Sequence, residues 1–312
     1  MTNRRDFLKN AGLAAGAVAV GSFNGFAEDS RTMERSDGKF KLKYAPHFGQ
    51  FEAHAGKDLF DQIKFVNDQG FRAMFDNGLP DKDAATQEKI AASLANRSMD
   101  LGPFVLYADF GVTSFVEDNE EVRKLIKEKI TLGVEVAKRT GAKHALMVPG
   151  RYHSKLDWDY QTKNVIQNFR YCMEQLDAHN SDLTIVMEPL NSHVDHPGLF
   201  LTKISQAYMI CNAVNDARCK IVNDLYHQQI QEGNLINNLT MAYDQIGAFH
   251  VGDNPGRKEP TTGEINYQNV FKRLYEMGYD GTICMEHGKS IGGLEGEKAL
   301  LNAYRYCDSF DV

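Results

Sequence analysis

From about residue 40 onward two textures alternate along the chain. Short apolar runs rich in Val, Ile and Phe are each followed by a longer stretch in which apolar residues recur every three or four positions. The first texture reads as strands buried on both faces, the second as amphipathic helices. Strands are expected at 42–46, 73–75, 102–106, 144–148, 184–187, 220–223, 246–250 and 282–285, and helices at 59–68, 84–96, 120–140, 164–180, 203–214, 235–243, 267–276 and 295–306. Gln69-Gly70, Thr140-Gly141 and Met277-Gly278 put a glycine just past a helix end, where a C-cap favours it. Such units in series predict α/β architecture, a single (β/α)8 TIM barrel domain over residues 40–312, preceded by an N-terminal extension at 28–39. A doubly wound open sheet is the competing arrangement, but no G-x-G-x-x-G follows an early strand. Gly288-Lys289-Ser290 imitates the end of a phosphate-binding loop, yet Ile283 stands where the first glycine of that loop belongs.

The segment before this pattern has another character. Asn3-Arg4-Arg5-Asp6-Phe7-Leu8-Lys9 precedes an apolar run rich in Ala and Gly over 11–20, and Gly25-Phe26-Ala27 then supplies a small-x-small cleavage site. This order reads as a signal peptide over residues 1–27. It resembles a twin-arginine signal, with Asn3 where Ser or Thr is usual. The resemblance implies export to the periplasm of a protein that has already folded. The apolar run is about half of the roughly 20 residues that cross a bilayer, and no later segment comes close, so the mature protein is expected to have no membrane span.

Composition narrows the partners. The chain is 42% hydrophobic and 25% charged, which excludes disorder and leaves a globular protein with a sizeable core. Its net charge of −7 argues against nucleic acid, whose phosphates need a basic face. Cys172, Cys211, Cys219, Cys284 and Cys307 make no C-x-x-C pair, and most of them read as buried small hydrophobes. The partner that remains is a small molecule, and a homo-oligomer is compatible with the sequence.

In a barrel of this kind the active groups sit where the strands end, because all the C-terminal ends open on one face. Four successive expected strands end in a metal-ligand side chain: Glu188, Asp224, His250 and Glu286, spaced 36, 26 and 36 residues apart. Each interval is about one strand–helix unit, so the four side chains converge. Three carboxylates and one imidazole form an oxygen-rich set that suits Mn²⁺, Mg²⁺ or Co²⁺ better than a zinc site. Without a cation the carboxylates would repel one another. Taken alone, each is an ordinary strand-end charge and His250 an ordinary core histidine; the repetition on consecutive strands makes the case.

These residues carry a resemblance. Glu188-Pro189-Leu190-Asn191, Asp224-Leu225-Tyr226-His227, His250 running into Asn254-Pro255-Gly256-Arg257-Lys258-Glu259-Pro260 and Gly263-Glu264-Ile265-Asn266-Tyr267, and Gly278-Tyr279-Asp280-Gly281 before Glu286 resemble the hydroxypyruvate isomerase branch of the xylose isomerase-like sugar isomerase/epimerase superfamily. The resemblance implies a divalent metal and isomerisation or epimerisation beside a carbonyl. Carried over by position, it makes Glu188, Asp224, His250 and Glu286 the metal ligands, Glu188 and Glu286 also the acid/base pair, and His227 and Arg257 substrate-binding residues. Two positions depart from it: His250 stands where hydroxypyruvate isomerases often carry Gln, and Met74-Phe75-Asp76-Asn77 stands where many relatives have a Glu before an apolar residue.

The chemistry expected is removal of a carbon-bound proton by one carboxylate and its return through the other, by way of an enediolate. Glu264 reads as structural, and His47, His193 and His196 as loop histidines that either line the pocket or are simply solvated. A metal-dependent lyase or dehydratase acting on a keto-sugar or keto-glycoside would use the same first step. An abasic-site endonuclease would want more histidine ligands and a basic groove. A sugar receptor without catalysis would not need two opposed carboxylates.

Overall fold

The apolar runs pair edge to edge in parallel, as strands separated by helices must. In the computed structural model, which describes residues 38–312, they are β1 (Lys43–Ala45), β2 (Ala73–Met74), β3 (Asp100–Leu101), β4 (Phe104–Tyr107), β5 (His144–Met147), β6 (Thr184–Met187), β7 (Cys219–Asp224), β8 (Ile246–His250) and β9 (Thr282–Cys284). Seven of them form one curled sheet in the order β1-β9-β8-β7-β6-β5-β4, and β2 pairs with β3. A bridge between His47 and Phe75 and a bond from Val105 N to Asn77 O (3.2 Å) tie the short pair to both edges of the larger sheet, and a bond from Gly102 N to Met74 O (2.8 Å) continues the pair itself. The result is a (β/α)8 barrel. The signal peptide read at 1–27, and the extension up to residue 37, lie outside the described residues.

The third expected strand is split into β3 and β4 around Gly102-Pro103. Proline has no N–H for the ladder, and a side chain at Gly102 would put a Cβ 2.7 Å from Phe75 Cβ and 2.8 Å from Cys284 Sγ. The ladder is interrupted there because Pro103 has no N–H to donate.

Helices α1 (Glu52–Ala55), α2 (Leu59–Asp68), α3 (Ala84–Ala95), α4 (Glu120–Thr140), α5 (Trp158–Ala178), α6 (Ile204–Val214), α7 (Leu225–Gln231), α8 (Leu235–Met241), α9 (Tyr267–Glu276) and α10 (Gly293–Asp308) connect the strands. Their ends are those the sequence marks. Asp58 and Asn119 accept backbone N–H groups at the starts of α2 and α4, and Gly141 closes α4 at a φ of 72°. Three elements depart from the periodicity. α1 is a short helix outside the expected set. α5 begins at Trp158, six residues before its apolar stripe, and α7 is a short helix seeded by Asp224, whose Oδ1 accepts from Tyr226 N at 2.8 Å and His227 N at 3.1 Å.

The main core lies between the sheet and the helices, and all five cysteines are buried. Two smaller clusters fill the ring itself, one built on Val186, Val222 and Ala248, the other on Ala45, Ala73, Phe75 and Cys284. These inward residues fix which later positions face the barrel axis, since a strand returns to the same face every second residue. Among the described residues no helix is long and apolar enough to cross a membrane.

Candidate metal centre and active site

Two residues beyond Val186, Val222, Ala248 and Cys284 stand Glu188, Asp224, His250 and Glu286. The alternation that packs the ring with small apolar groups therefore delivers all four polar side chains to its open end. Their ligand atoms lie within 4.8 Å of one another. Opposite ligands of an ion with bonds of about 2.0–2.3 Å stand about 4–4.6 Å apart, so the cluster has the dimensions of a coordination sphere and the donor set of a hard divalent ion. Glu188, Asp224 and His250 are buried, and the Glu286 side chain is 24% exposed. The residues present fit a metal.

The two glutamates differ in their surroundings. His250 Nδ1 lies 2.9 Å from Glu188 Oε1 and 2.9 Å from Glu286 Oε2. Glu286 has further donors: Asn77 Nδ2 at 2.6 Å on Oε1 and Arg257 Nη2 at 2.7 Å on Oε2. Burial raises the pKa of each carboxyl. In Glu188 it prevails over His250 and pushes the pKa up to about 7. In Glu286 it is outweighed by His250, Arg257 and Asn77, which hold that carboxyl below the usual range. Burial opposes charge on His250, but Glu286 and Glu188 together raise its pKa well above the ordinary value.

Arg257 reaches the cluster from the loop after β8. Its Nη2 also donates to Asp224 Oδ2 at 2.6 Å, its Nε donates to the Glu286 carbonyl at 3.1 Å, and its guanidinium lies 4.9 Å over the Tyr226 ring. The backbone there is left-handed, with a φ of 50°. Two buried carboxylates hold it. Asp253, 0% exposed, accepts from Asn254 N, Gly263 N and Ile265 N, and Glu259 accepts from Ser290 N and Oγ. Glu264 ties the same loop down by accepting from Asn254 Nδ2 and Gln229 Nε2. The P-G-R-x-E-P-x-x-G-E-I-N-Y stretch is thus a mount for one guanidinium.

His227 faces Asp224 Oδ2 with Nε2 at 3.8 Å. Its other nitrogen accepts from Asn191 Nδ2 at 2.6 Å, and Asn191 is oriented because its Oδ1 takes the N–H groups of Val194 and Asp195. Nδ1 is therefore the acceptor, and the proton sits on Nε2, toward the cluster. Burial pushes the His227 pKa down to about 4, so the ring is neutral at pH 7.

Other residues take places that their types alone did not indicate. Asn77 extends the inward series Ala73, Phe75 on the second strand and touches Glu286; counting by twos from Ala73 finds it. His196 is no solvated loop residue, since its ring packs between His227 and Phe110. His47 is partly buried, with Nδ1 2.7 Å from Phe48 O, and His193 is exposed.

Comparison with known families matches residues 60–307 to the family described as Xylose isomerase-like TIM barrel. Hydroxypyruvate isomerase of Escherichia coli (strain K12) is 32% identical over 161 residues, which is 52% of this chain and 61% of that protein, so the match spans less than two thirds of the relative. A putative hydroxypyruvate isomerase of Drosophila melanogaster is 28% identical over 264 residues, covering 82% of this chain and 95% of the relative. Among solved structures, an AP endonuclease, family 2, from Brucella melitensis superposes with a TM-score of 0.69 at 22% identity, over 84% of this chain and 99% of that one. At that identity the likeness is one of fold.

Proposed function

The chain belongs to the xylose isomerase-like TIM barrel family, and from that premise we propose that it is a metal-dependent isomerase or epimerase that moves a proton beside a carbonyl through an enediolate. The observation that carries this reading is the convergence of Glu188, Asp224, His250 and Glu286 within 4.8 Å, with the two glutamates in unlike surroundings. Relatives named hydroxypyruvate isomerase support the reaction class.

Glu188, Asp224, His250 and Glu286 would hold the metal. When bound it supplies Lewis acidity, steadying the negative charge that develops on substrate oxygens, a contribution of several kcal/mol. The remaining steps belong to the chain's own residues. Glu188 and Glu286 form the acid/base pair, one taking the carbon-bound proton and the other delivering it, for which positioned groups typically give about 10²–10⁴-fold. His227 donates from Nε2 to a substrate hydroxyl. Arg257 steadies Asp224 and Glu286 and offers its remaining N–H groups to the substrate. Residues 1–27 act as a twin-arginine-type signal that sends the folded protein to the periplasm.

The test is proton NMR in D₂O of the Mn²⁺-loaded protein with hydroxypyruvate, ketoses and keto-glycosides, beside Glu286→Gln. Deuterium incorporation on carbon, lost in the variant, is the expected result. Binding of metal and sugar with no exchange at carbon in any substrate would refute the acid/base roles.

A further inference from the structure

A row of rings leads from the cluster to the surface. The centroid of His227, the ring beside Asp224, is 5.3 Å from that of His196, and His196 is 4.5 Å from Phe110. Exposure rises along the row, from 1% at His227 through a half-buried His196 to 42% at Phe110. The row is held rigidly. Arg151 N bonds Val112 O, Tyr152 N bonds Gly198 O and Phe200 N bonds Gly150 O, so isolated antiparallel bridges tie together the loops after β4, β5 and β6. The Arg151 guanidinium also donates to Phe110 O and Pro197 O, fixing the two loops that carry Phe110 and His196. Among the described residues the Phe110 ring packs on His196 and on no other aromatic ring.

A partly exposed aromatic ring that continues a row of rings from a polar cluster can bury its remaining surface under a flat apolar group. The C–H face of a sugar ring and the face of a planar aglycone share that chemistry. A ligand that touches both the cluster and Phe110 must extend past the rings of His227 and His196. We propose that His196 and Phe110 form a subsite for a second ring, and that the substrate is a glycoside with its oxidised sugar at the cluster and its second ring on Phe110. This rests on the reading of the cluster as the place where the reacting carbons sit. Continuity with His227 favours a ligand over a second copy of the chain, although Val112 and Tyr152 are also exposed on these loops and make that occupant the competing outcome.

The test is calorimetric binding of methyl β-D-glucopyranoside, phenyl β-D-glucopyranoside and cellobiose to the Mn²⁺-loaded protein, to Phe110→Ala and to Phe110→Trp. Phenyl glucoside, cellobiose or both are expected to bind about tenfold more tightly than methyl glucoside, and which of them does separates a planar aglycone from a sugar. Phe110→Ala brings the ratio close to one, and Phe110→Trp preserves it. The ratio is the readout because a variant that merely loosens the site weakens all three ligands together. Equal affinities, no binding, or a ratio unchanged in Phe110→Ala would overturn the subsite. Light scattering on the same samples identifies the rival: a loss of oligomer in Phe110→Ala with the ratio unchanged makes this face a contact between copies. Absence of deuterium exchange in every substrate, with the ratio behaving as expected, refutes the reaction and leaves the subsite standing.

Discussion

Glu286 takes hydrogen bonds from Asn77 and Arg257 and shares His250 with Glu188, which has His250 alone among these donors. The difference predicts how metal binding follows pH. With its pKa at about 7, Glu188 keeps its proton below neutrality in the metal-free protein, and an incoming ion must displace it. Affinity for Mn²⁺ should therefore rise with pH through neutrality, by as much as about tenfold per unit for each proton displaced, and His250, whose pKa is also raised, carries the rise above about 7. Calorimetry between pH 5.5 and 8 checks this, and a flat profile would refute it. Asn77 permits a second prediction. A hydrogen bond to a charged group is worth about 1.5–3 kcal/mol, so Asn77→Ala should lower kcat by about tenfold or more with little change in KM. Asn77→Asp, which sets a carboxylate against Glu286, should lower it further. Steady-state kinetics that find KM alone altered would remove Asn77 from the machinery that orients Glu286.

At the scale of elements, strand existence and strand ends are readable because the apolar runs stop where the chemistry starts. The interval between equivalent strand ends is one repeat unit, which is why Glu188, Asp224, His250 and Glu286 group together from spacing alone. Asn77 is reached by counting in twos from Ala73, but β2 has only two residues, so the pattern does not by itself mark Asn77 as a partner of Glu286. α7 is hidden for another reason: its first residues read as site residues, and its start depends on Asp224 capping it. His196 and Phe110 meet through tertiary bonds between loops, for which local pattern gives no signal. The loop after β8 supplies a prediction of its own. Asp253→Ala would leave the N–H groups of Asn254, Gly263 and Ile265 without their acceptor and should destabilise the fold by about 3 kcal/mol. Because this carboxylate also shapes the turn from which Arg257 reaches the cluster, activity should fall more steeply than stability. Denaturant unfolding and kinetics on one preparation would separate the two effects, and an unaltered midpoint would refute the structural role.

For the whole molecule the proposed metal would be a ligand of the native state alone, since strands distant in sequence build the cluster that would hold it. At an ion concentration of about 100 Kd, loading should add about 2.7 kcal/mol and raise Tm by several degrees. Chelation should reverse the shift, and a Tm indifferent to chelation would argue against a native-state metal site. Arg257 has a further effect on the assembled protein. Glu188, Asp224 and Glu286 bring three negative charges when ionised, and the guanidinium between Asp224 and Glu286 returns one positive charge. A divalent ion brings the sum to zero. A neutral sugar entering this largely buried set leaves the balance intact, whereas a carboxylate substrate restores a net charge that burial penalises. Affinity for a neutral ligand should then be nearly the same in dilute buffer as in concentrated salt.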